Sequence, residues 1–134
     1  MAVQAQLQWT QGLQFVARAD QGPAIVIDNP EGGSGPSPMQ LVLMGTAGCT
    51  AMDIVSILRK RRAALSRVLV NIHAERAGEH PRRYTRIELE YIITGRGIKE
   101  KDVARAVDLS LTKYCSATAS LNAEVTSRFR IVEE

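Results

Sequence analysis

The sequence predicts an α+β domain in which antiparallel strands surround one long central helix. Three observations support this fold class. Apolar and polar residues alternate with period two in several short segments, one long apolar segment carries a helix start signal, and a later segment keeps helical spacing. Strands joined by turns and interrupted by helices are typical of α+β folds. The predicted order of elements is βββ-α-ββ-αα-β.

A single domain is expected, because 134 residues suffice for one hydrophobic core and are few for two. The domain would span residues 1–134. Its predicted parts are N-terminal strands over 1–28, a loop over 29–37, the central helix over 38–62, a hairpin over 66–94, helices over 99–122 and a last strand over 124–132.

Three strands are predicted at the start of the chain. Apolar residues occupy every second position from Val3 to Trp9, which is typical of a half-buried strand. The segment from Leu13 to Ala19 continues this alternation after a turn, and a β-branched segment over 24–28 follows a second turn.

The central helix is predicted to begin after a loop rich in glycine and proline. Ser37 supplies an N-cap and Pro38 a first-turn proline. Inside the helix, Gly45 and Gly48 each cost about 1 kcal/mol relative to alanine. Small residues allow another backbone to approach closely, so the helix is expected to pack on a neighbouring helix.

One face of this helix is polar. Residues at i, i+3, i+4 and i+7 share a helix face, and here they are Thr46, Cys49, Thr50, Asp53, Ser56 and Lys60. Cys49 therefore lies among polar neighbours.

The second half of the chain predicts a hairpin, a second helix and a last strand. Alternation over 68–74 and 87–93 indicates the two strands of the hairpin. An amphipathic helix follows over 99–114, with Ser110 and Tyr114 among the residues on its apolar face. Cys115 lies at its end, and Ser116 is predicted to cap a further short helical turn.

Charge and composition argue against two classes of partner. The net charge is +3, and its strongest cluster spans Arg59–Arg62. A basic run at the end of a helix complements the helix dipole, and the six aromatic residues are dispersed rather than interleaved with basic ones. The sequence also has no uninterrupted apolar span and no export signal. We expect no nucleic-acid partner, no membrane partner and a cytoplasmic location.

The two cysteines carry the remaining chemistry. Free cysteines are more often buried core residues than reactive ones, so the sequence leaves both interpretations open for Cys49 and Cys115. The polar stripe favours reactivity at Cys49, and the turn after Cys115 could favour a thiolate. His73 and His80 have no metal-ligand spacing, so no metal site is predicted. No motif for nucleotide phosphates is present.

The chain resembles the OsmC/Ohr family of thiol-dependent hydroperoxide reductases, and its shorter YhfA-like branch most closely. The resemblance spans almost the whole chain. It lies in Ser37-Pro38-Met39-Gln40-Leu41 leading to Ala47-Gly48-Cys49, and in Ala106, Leu109-Ser110 and Lys113-Tyr114-Cys115. It implies an intertwined homodimer in which two central helices are embraced by antiparallel sheets, with active sites at the subunit interface.

The resemblance also implies roles for individual residues. Cys49 matches the peroxidatic cysteine, which would attack an organic hydroperoxide, and Cys115 matches the resolving cysteine. No bound cofactor is implied, and an external dithiol of the lipoyl type, such as a lipoylated protein, would restore the thiols. Active members have a glutamate where this chain has Met39, and it orients an arginine. Gln40 and Arg18 are the candidates for these supporting roles.

Three hypotheses follow from the sequence. The first is a cytoplasmic homodimeric peroxidase for organic hydroperoxides, acting through Cys49 and Cys115. The second is a family member with weak catalysis that binds a small ligand or handles sulfur, because Met39 replaces a carboxylate. The third, which the dispersed aromatic residues argue against, is nucleic-acid binding by the basic cluster over 59–62. Asp53 would raise the pKa of the Cys49 thiol if the two side chains lie close together.

Overall fold

The computed structural model describes all 134 residues, and its elements confirm the predicted fold class. The chain divides into two compact units, residues 1–42 and residues 43–134, each with a three-stranded sheet of its own. The single-domain organisation stays a prediction. The elements are β1 Ala5–Gln11, β2 Gln14–Ala19, β3 Ala24–Ile27, α1 Pro38–Lys60, β4 Ala64–Arg76, β5 Tyr84–Arg96, α2 Glu100–Leu109, a π-helical turn Ser110–Tyr114, α3 Ser116–Ala119 and β6 Glu124–Glu133.

The N-terminal unit is an antiparallel meander in the order β1-β2-β3. The alternation predicted its strands, but β1 buries neither face: Leu7 is 57% and Trp9 is 63% exposed. After β3, the buried Asp28 carboxylate accepts hydrogen bonds from the Ser34 hydroxyl and from the N–H groups of Asn29 and Ser34. These bonds hold the pKa of Asp28 below its usual value.

Helix α1 begins where the capping residues predict. The Gln40 N–H donates to the Ser37 hydroxyl, and the Ser37 N–H donates to the Gln40 side-chain oxygen, at 3.1 and 2.9 Å. This reciprocal pair is a capping box, with glutamine in the third helical position. The helix ends at Lys60, two residues before the predicted boundary, and Arg62 has a left-handed backbone with φ 59°.

The C-terminal unit is a sheet in the order β4-β5-β6. Strands β4 and β5 form the predicted antiparallel hairpin, but β6 pairs parallel with β5, so the sheet is mixed rather than purely antiparallel. The physical reason is the helical segment between them. A long helical crossover returns the chain to the end of the sheet from which β5 started, and a strand that leaves from there runs parallel to β5.

One face of β5 forms the centre of this unit's core. The alternation predicted that face correctly, since Ile87, Leu89, Tyr91 and Ile93 are each at most 1% exposed. Ile54 and Leu58 from α1 and Val103 and Ala106 from α2 are fully buried as well.

By length and composition alone, α1 could cross a membrane, with a mean hydropathy of 1.8. Core helices of water-soluble proteins meet the same criterion. In α1, Thr46 and Thr50 are buried and Asp53 is half-buried, whereas Ser56 and Lys60 at the other end of its polar stripe are exposed.

Candidate functional site

The two cysteines and one carboxylate meet in the C-terminal unit. The sulfur atoms of Cys49 and Cys115 and a carboxylate oxygen of Asp53 all lie within 4.8 Å of one another. Both thiols are free; Cys49 is half-buried and Cys115 is buried. Cys49 and Asp53 are one turn apart on α1, which is why they share a face. The fold thus brings together two cysteines that are distant in sequence.

A π-helical turn positions Cys115 beside Cys49. The Cys115 N–H donates to the Ser110 carbonyl at 2.7 Å, which closes the wider i to i+5 turn. Cys115 is then itself the N-cap of α3, because its sulfur accepts the Thr118 N–H at 3.5 Å. The sequence pointed to Ser116 as the cap, but Ser116 is the first helical residue of α3.

The environment of Cys49 favours the protonated thiol in the resting protein. Burial raises the pKa of the Cys49 thiol above its ordinary value. The backbone N–H of Ala117 opposes this, with a smaller contribution from that of Ser116, while the neighbouring Cys115 thiol raises the pKa further. The net direction is upward, so Cys49 must lose a proton when it reacts as a nucleophile.

A chain of hydrogen bonds leads from the core of the sheet to Asp53. The Tyr91 hydroxyl lies 2.8 Å from the Thr50 hydroxyl, which lies 2.9 Å from the Ser110 hydroxyl. Ser110 donates to an Asp53 carboxylate oxygen at 2.8 Å. Tyr91, Thr50 and Ser110 are all 0% exposed. The chain joins β5, α1 and the π-helical turn, and it fixes the orientation of the carboxylate.

Two thiols and one carboxylate make three donor atoms, one fewer than the closed four-ligand shell of structural zinc sites and as many as the protein supplies in catalytic zinc sites. Adjacent thiols are also the arrangement that forms a disulfide, which requires a sulfur separation of about 2.05 Å. The expectation of no metal site therefore stays a prediction.

A family model described as OsmC-like protein matches residues 31–130, which is most of the chain and includes both cysteines. The chain belongs to the OsmC-like family. Protein YhfA of Escherichia coli strain K12 is 45% identical over 123 residues, which cover 92% of each chain.

Solved structures share the fold of this OsmC-like chain. A hypothetical protein from Aquifex aeolicus has a TM-score of 0.90 at 25% identity, covering 100% of this chain and 98% of that one. The organic hydroperoxide resistance protein OhrB of Bacillus subtilis has a TM-score of 0.62 at 13% identity, covering 98% of both chains, and so shares the fold.

The predicted supporting residues of this OsmC-like chain belong to its N-terminal unit, whereas the thiol pair belongs to its C-terminal unit. Arg18 is on β2, paired with Gln6 and Ala24. Gln40 is engaged in the capping box of α1. The supporting roles of both residues at Cys49 stay predictions.

Sequence reasoning missed the residues that orient Asp53. Ser110 was placed on the apolar face of the second helix, and a serine at a core position is itself a signal that a buried polar partner exists. Tyr91 carried the same signal on the apolar face of its strand. Tyr114 was placed on that apolar helix face too, but it is 50% exposed, because the π-helical turn changes the helical spacing before it.

Proposed function

We propose that this protein is a two-cysteine peroxidase that reduces organic hydroperoxides. The observation that carries the proposal is the approach of the Cys49 and Cys115 sulfurs to within 4.8 Å. Membership of the OsmC-like family supports a role in peroxide stress, and OhrB, an organic hydroperoxide resistance protein, has the same fold.

The proposed chemistry has three steps. Cys49, as a thiolate, attacks the distal peroxide oxygen, the O–O bond breaks, and an alcohol leaves while Cys49 becomes a sulfenic acid. The Cys115 thiol then displaces water from that sulfenic acid and forms a disulfide. For this step the two sulfur atoms must move closer together by less than about 3 Å, to reach the length of a disulfide bond. A dithiol of the lipoyl type reduces the disulfide and restores both thiols.

We further propose that the active form is a cytoplasmic homodimer. Apolar side chains are exposed on both units, among them Trp9 on β1 and Met44 and Met52 on α1. A Cβ atom added at Gly45 or Gly48 would meet nothing within 4 Å, so this face of α1 is open within one chain. A second copy would cover such surfaces and give the two glycines the close helix packing predicted for them.

The test is peroxide consumption with a defined reductant. Purified protein, cumene hydroperoxide and dihydrolipoamide are mixed, and loss of the peroxide is followed. Wild type should turn over, while Cys49→Ser should show only the background rate. Cys115→Ser should accumulate a sulfenic acid that dimedone traps, because no thiol remains to condense with it. A wild type no faster than Cys49→Ser would reject the proposal.

A second candidate is a weakly catalytic member that binds a small ligand or handles sulfur. The raised pKa of Cys49 favours it, as does Met39 in place of the carboxylate that the resemblance leads one to expect. The rate of iodoacetamide alkylation against pH measures that pKa. Slow alkylation at neutral pH together with no peroxide turnover supports this candidate, and rapid turnover eliminates it.

A further inference from the structure

The Asp53 carboxylate has no role in the two-cysteine scheme, yet it lies within 4.8 Å of both sulfurs. A carboxylate beside a thiol disfavours the thiolate by its charge. Its position would hinder catalysis if charge were its only effect. A carboxylate is also a proton acceptor, and a proton acceptor is what a protonated Cys49 requires.

The hydrogen-bond chain shows how the carboxylate is prepared for this role. Each hydroxyl has a single proton to donate, and an ionised carboxylate can only accept. Ser110 donates its proton to Asp53, and Ser110 is joined by a second hydrogen bond to Thr50, which is joined in turn to Tyr91. The chain of hydroxyls therefore ends at the carboxylate. Its two oxygens have room for further hydrogen bonds, so Asp53 stays able to accept a thiol proton.

We propose that Asp53 is the proton carrier of the thiol pair, serving Cys49 in the peroxide step and Cys115 in the disulfide step. This inference rests on the proposed peroxidase function. The titratable groups facing Asp53 are Cys49 on α1 and Cys115 after the π-helical turn, with Tyr91 of β5 reached through Thr50 and Ser110.

The proton is accounted for in both steps. Asp53 takes the proton of the Cys49 thiol, the thiolate attacks the distal oxygen, and Asp53 returns the proton to the departing alkoxide, which leaves as an alcohol. In the second step Asp53 takes the proton of the Cys115 thiol. The new thiolate attacks the Cys49 sulfenic sulfur, and the proton goes to the departing hydroxide, which leaves as water. Asp53 ends each step ionised.

Asp53→Asn separates this role from simple electrostatics, because the two act in opposite directions. Asparagine can still accept the Ser110 hydrogen bond through its carbonyl oxygen, but it carries no charge and accepts no proton. Loss of a neighbouring negative charge favours a thiolate and so makes thiolate reactions faster at neutral pH. Loss of a proton carrier makes the peroxide step slower, by roughly 10²-fold on the usual scale of general acid–base catalysis.

The experiment measures three rates for wild type, Asp53→Asn and a matched control, Asp108→Asn, which removes an exposed carboxylate from α2. All buffers contain EDTA. The rates are iodoacetamide alkylation, single-turnover reduction of cumene hydroperoxide, and the two-stage release of thionitrobenzoate from Ellman's reagent, each from pH 5 to 10. The second thionitrobenzoate release requires Cys115 to lose its proton, and no peroxide takes part in it.

We expect Asp53→Asn to alkylate at least as fast as wild type at pH 7. Its peroxide reduction and second thionitrobenzoate release should be slower by one to two orders of magnitude at that pH. The deficit in thionitrobenzoate release should narrow as pH rises, because solvent then deprotonates Cys115. Asp108→Asn should match wild type throughout.

Asp53→Asn rates at pH 7 equal to or above wild type in both reactions would overturn the inference. That outcome is distinct from failure of the proposed function, in which wild type itself reduces peroxide no faster than Cys49→Ser. The Ellman reaction still tests Asp53 in that case.

Discussion

Ser110 links Thr50 to Asp53 in the hydrogen-bond chain, and replacing it with alanine should destabilise the protein measurably. The side chain is 0% exposed and hydrogen-bonds to both Asp53 and Thr50. A hydrogen bond to a charged group contributes about 1.5–3 kcal/mol, and one between neutral groups about 0.5–1.5 kcal/mol. Asp53 is only half-buried, so water replaces part of the first contribution. We expect Ser110→Ala to lower the free energy of unfolding by about 2 kcal/mol.

Urea denaturation followed by circular dichroism measures this loss at one fixed protein concentration. With an m-value of about 2 kcal/mol/M, the midpoint should fall by about 1 M at unchanged m. Ser127→Ala, at an exposed serine of β6, is the control and should stay within about 0.5 kcal/mol of wild type. Combining Ser110→Ala with Asp53→Ala should cost less than the sum of the two single changes, because either change alone already removes the hydrogen bond that the two residues share.

A loss below about 0.5 kcal/mol for Ser110→Ala would refute this reasoning, since that is the size of an ordinary surface substitution. Strict additivity with Asp53→Ala would contradict it as well. Either result would mean that the 2.8 Å contact between Ser110 and Asp53 does not stabilise the folded protein.

Three further predictions concern other parts of the chain. Burial raises the pKa of Tyr91 to about 12, so folding favours its protonated phenol, and the free energy of unfolding should decline as pH rises above about 10. In a titration followed by absorbance at 295 nm, one tyrosine should ionise late, and Tyr91→Phe should remove it. Hydrogen bonds lower the pKa of Asp28, so its carboxylate stabilises the folded protein above the ordinary pKa near 4, and this stabilisation is lost as pH falls below it. Asp28→Asn should therefore reduce the difference between the urea midpoints at pH 7 and pH 3. A Cβ atom at Gly95 would clash with the Ala64 carbonyl oxygen of the paired strand, so Gly95→Ala should lower the melting temperature. Gly78→Ala is the control and should not lower it, because a Cβ atom at Gly78 would meet no atom within 4 Å.

The fold was predictable from the sequence because its elements are signalled locally. The start of α1 follows from two neighbouring residues, Ser37 and Pro38, and the buried face of β5 from a strict alternation. The parallel pairing of β6 carried no such signal, because it depends on where the helical crossover returns the chain. Alternation also overstated the burial of β1, since a periodic pattern shows which residues share a face and not what covers it.

The residues of α1 that share one face were predictable and the resemblance named Cys115, but the hydrogen-bond partners from outside α1 were not predicted. Helical spacing placed Cys49, Thr50 and Asp53 on one face, and Thr50 and Asp53 both hydrogen-bond to Ser110. Ser110 and Tyr91 come from segments 60 and 41 residues from Thr50, and spacing along one helix says nothing about such contacts. These partners are set by tertiary packing.

The π-helical turn shows why the second half of the site depends on a local irregularity. In a regular α-helix at about 100° per residue, Ser110 and Cys115 would lie about 140° apart around the axis. A side chain at one position could then approach α1 only if the other turned away from it. The i to i+5 hydrogen bond widens the turn, so the two residues come close to the same side. Ser110 can then reach Asp53 while Cys115 reaches Cys49, and one extra residue in a helical turn serves both the carboxylate and the disulfide partner.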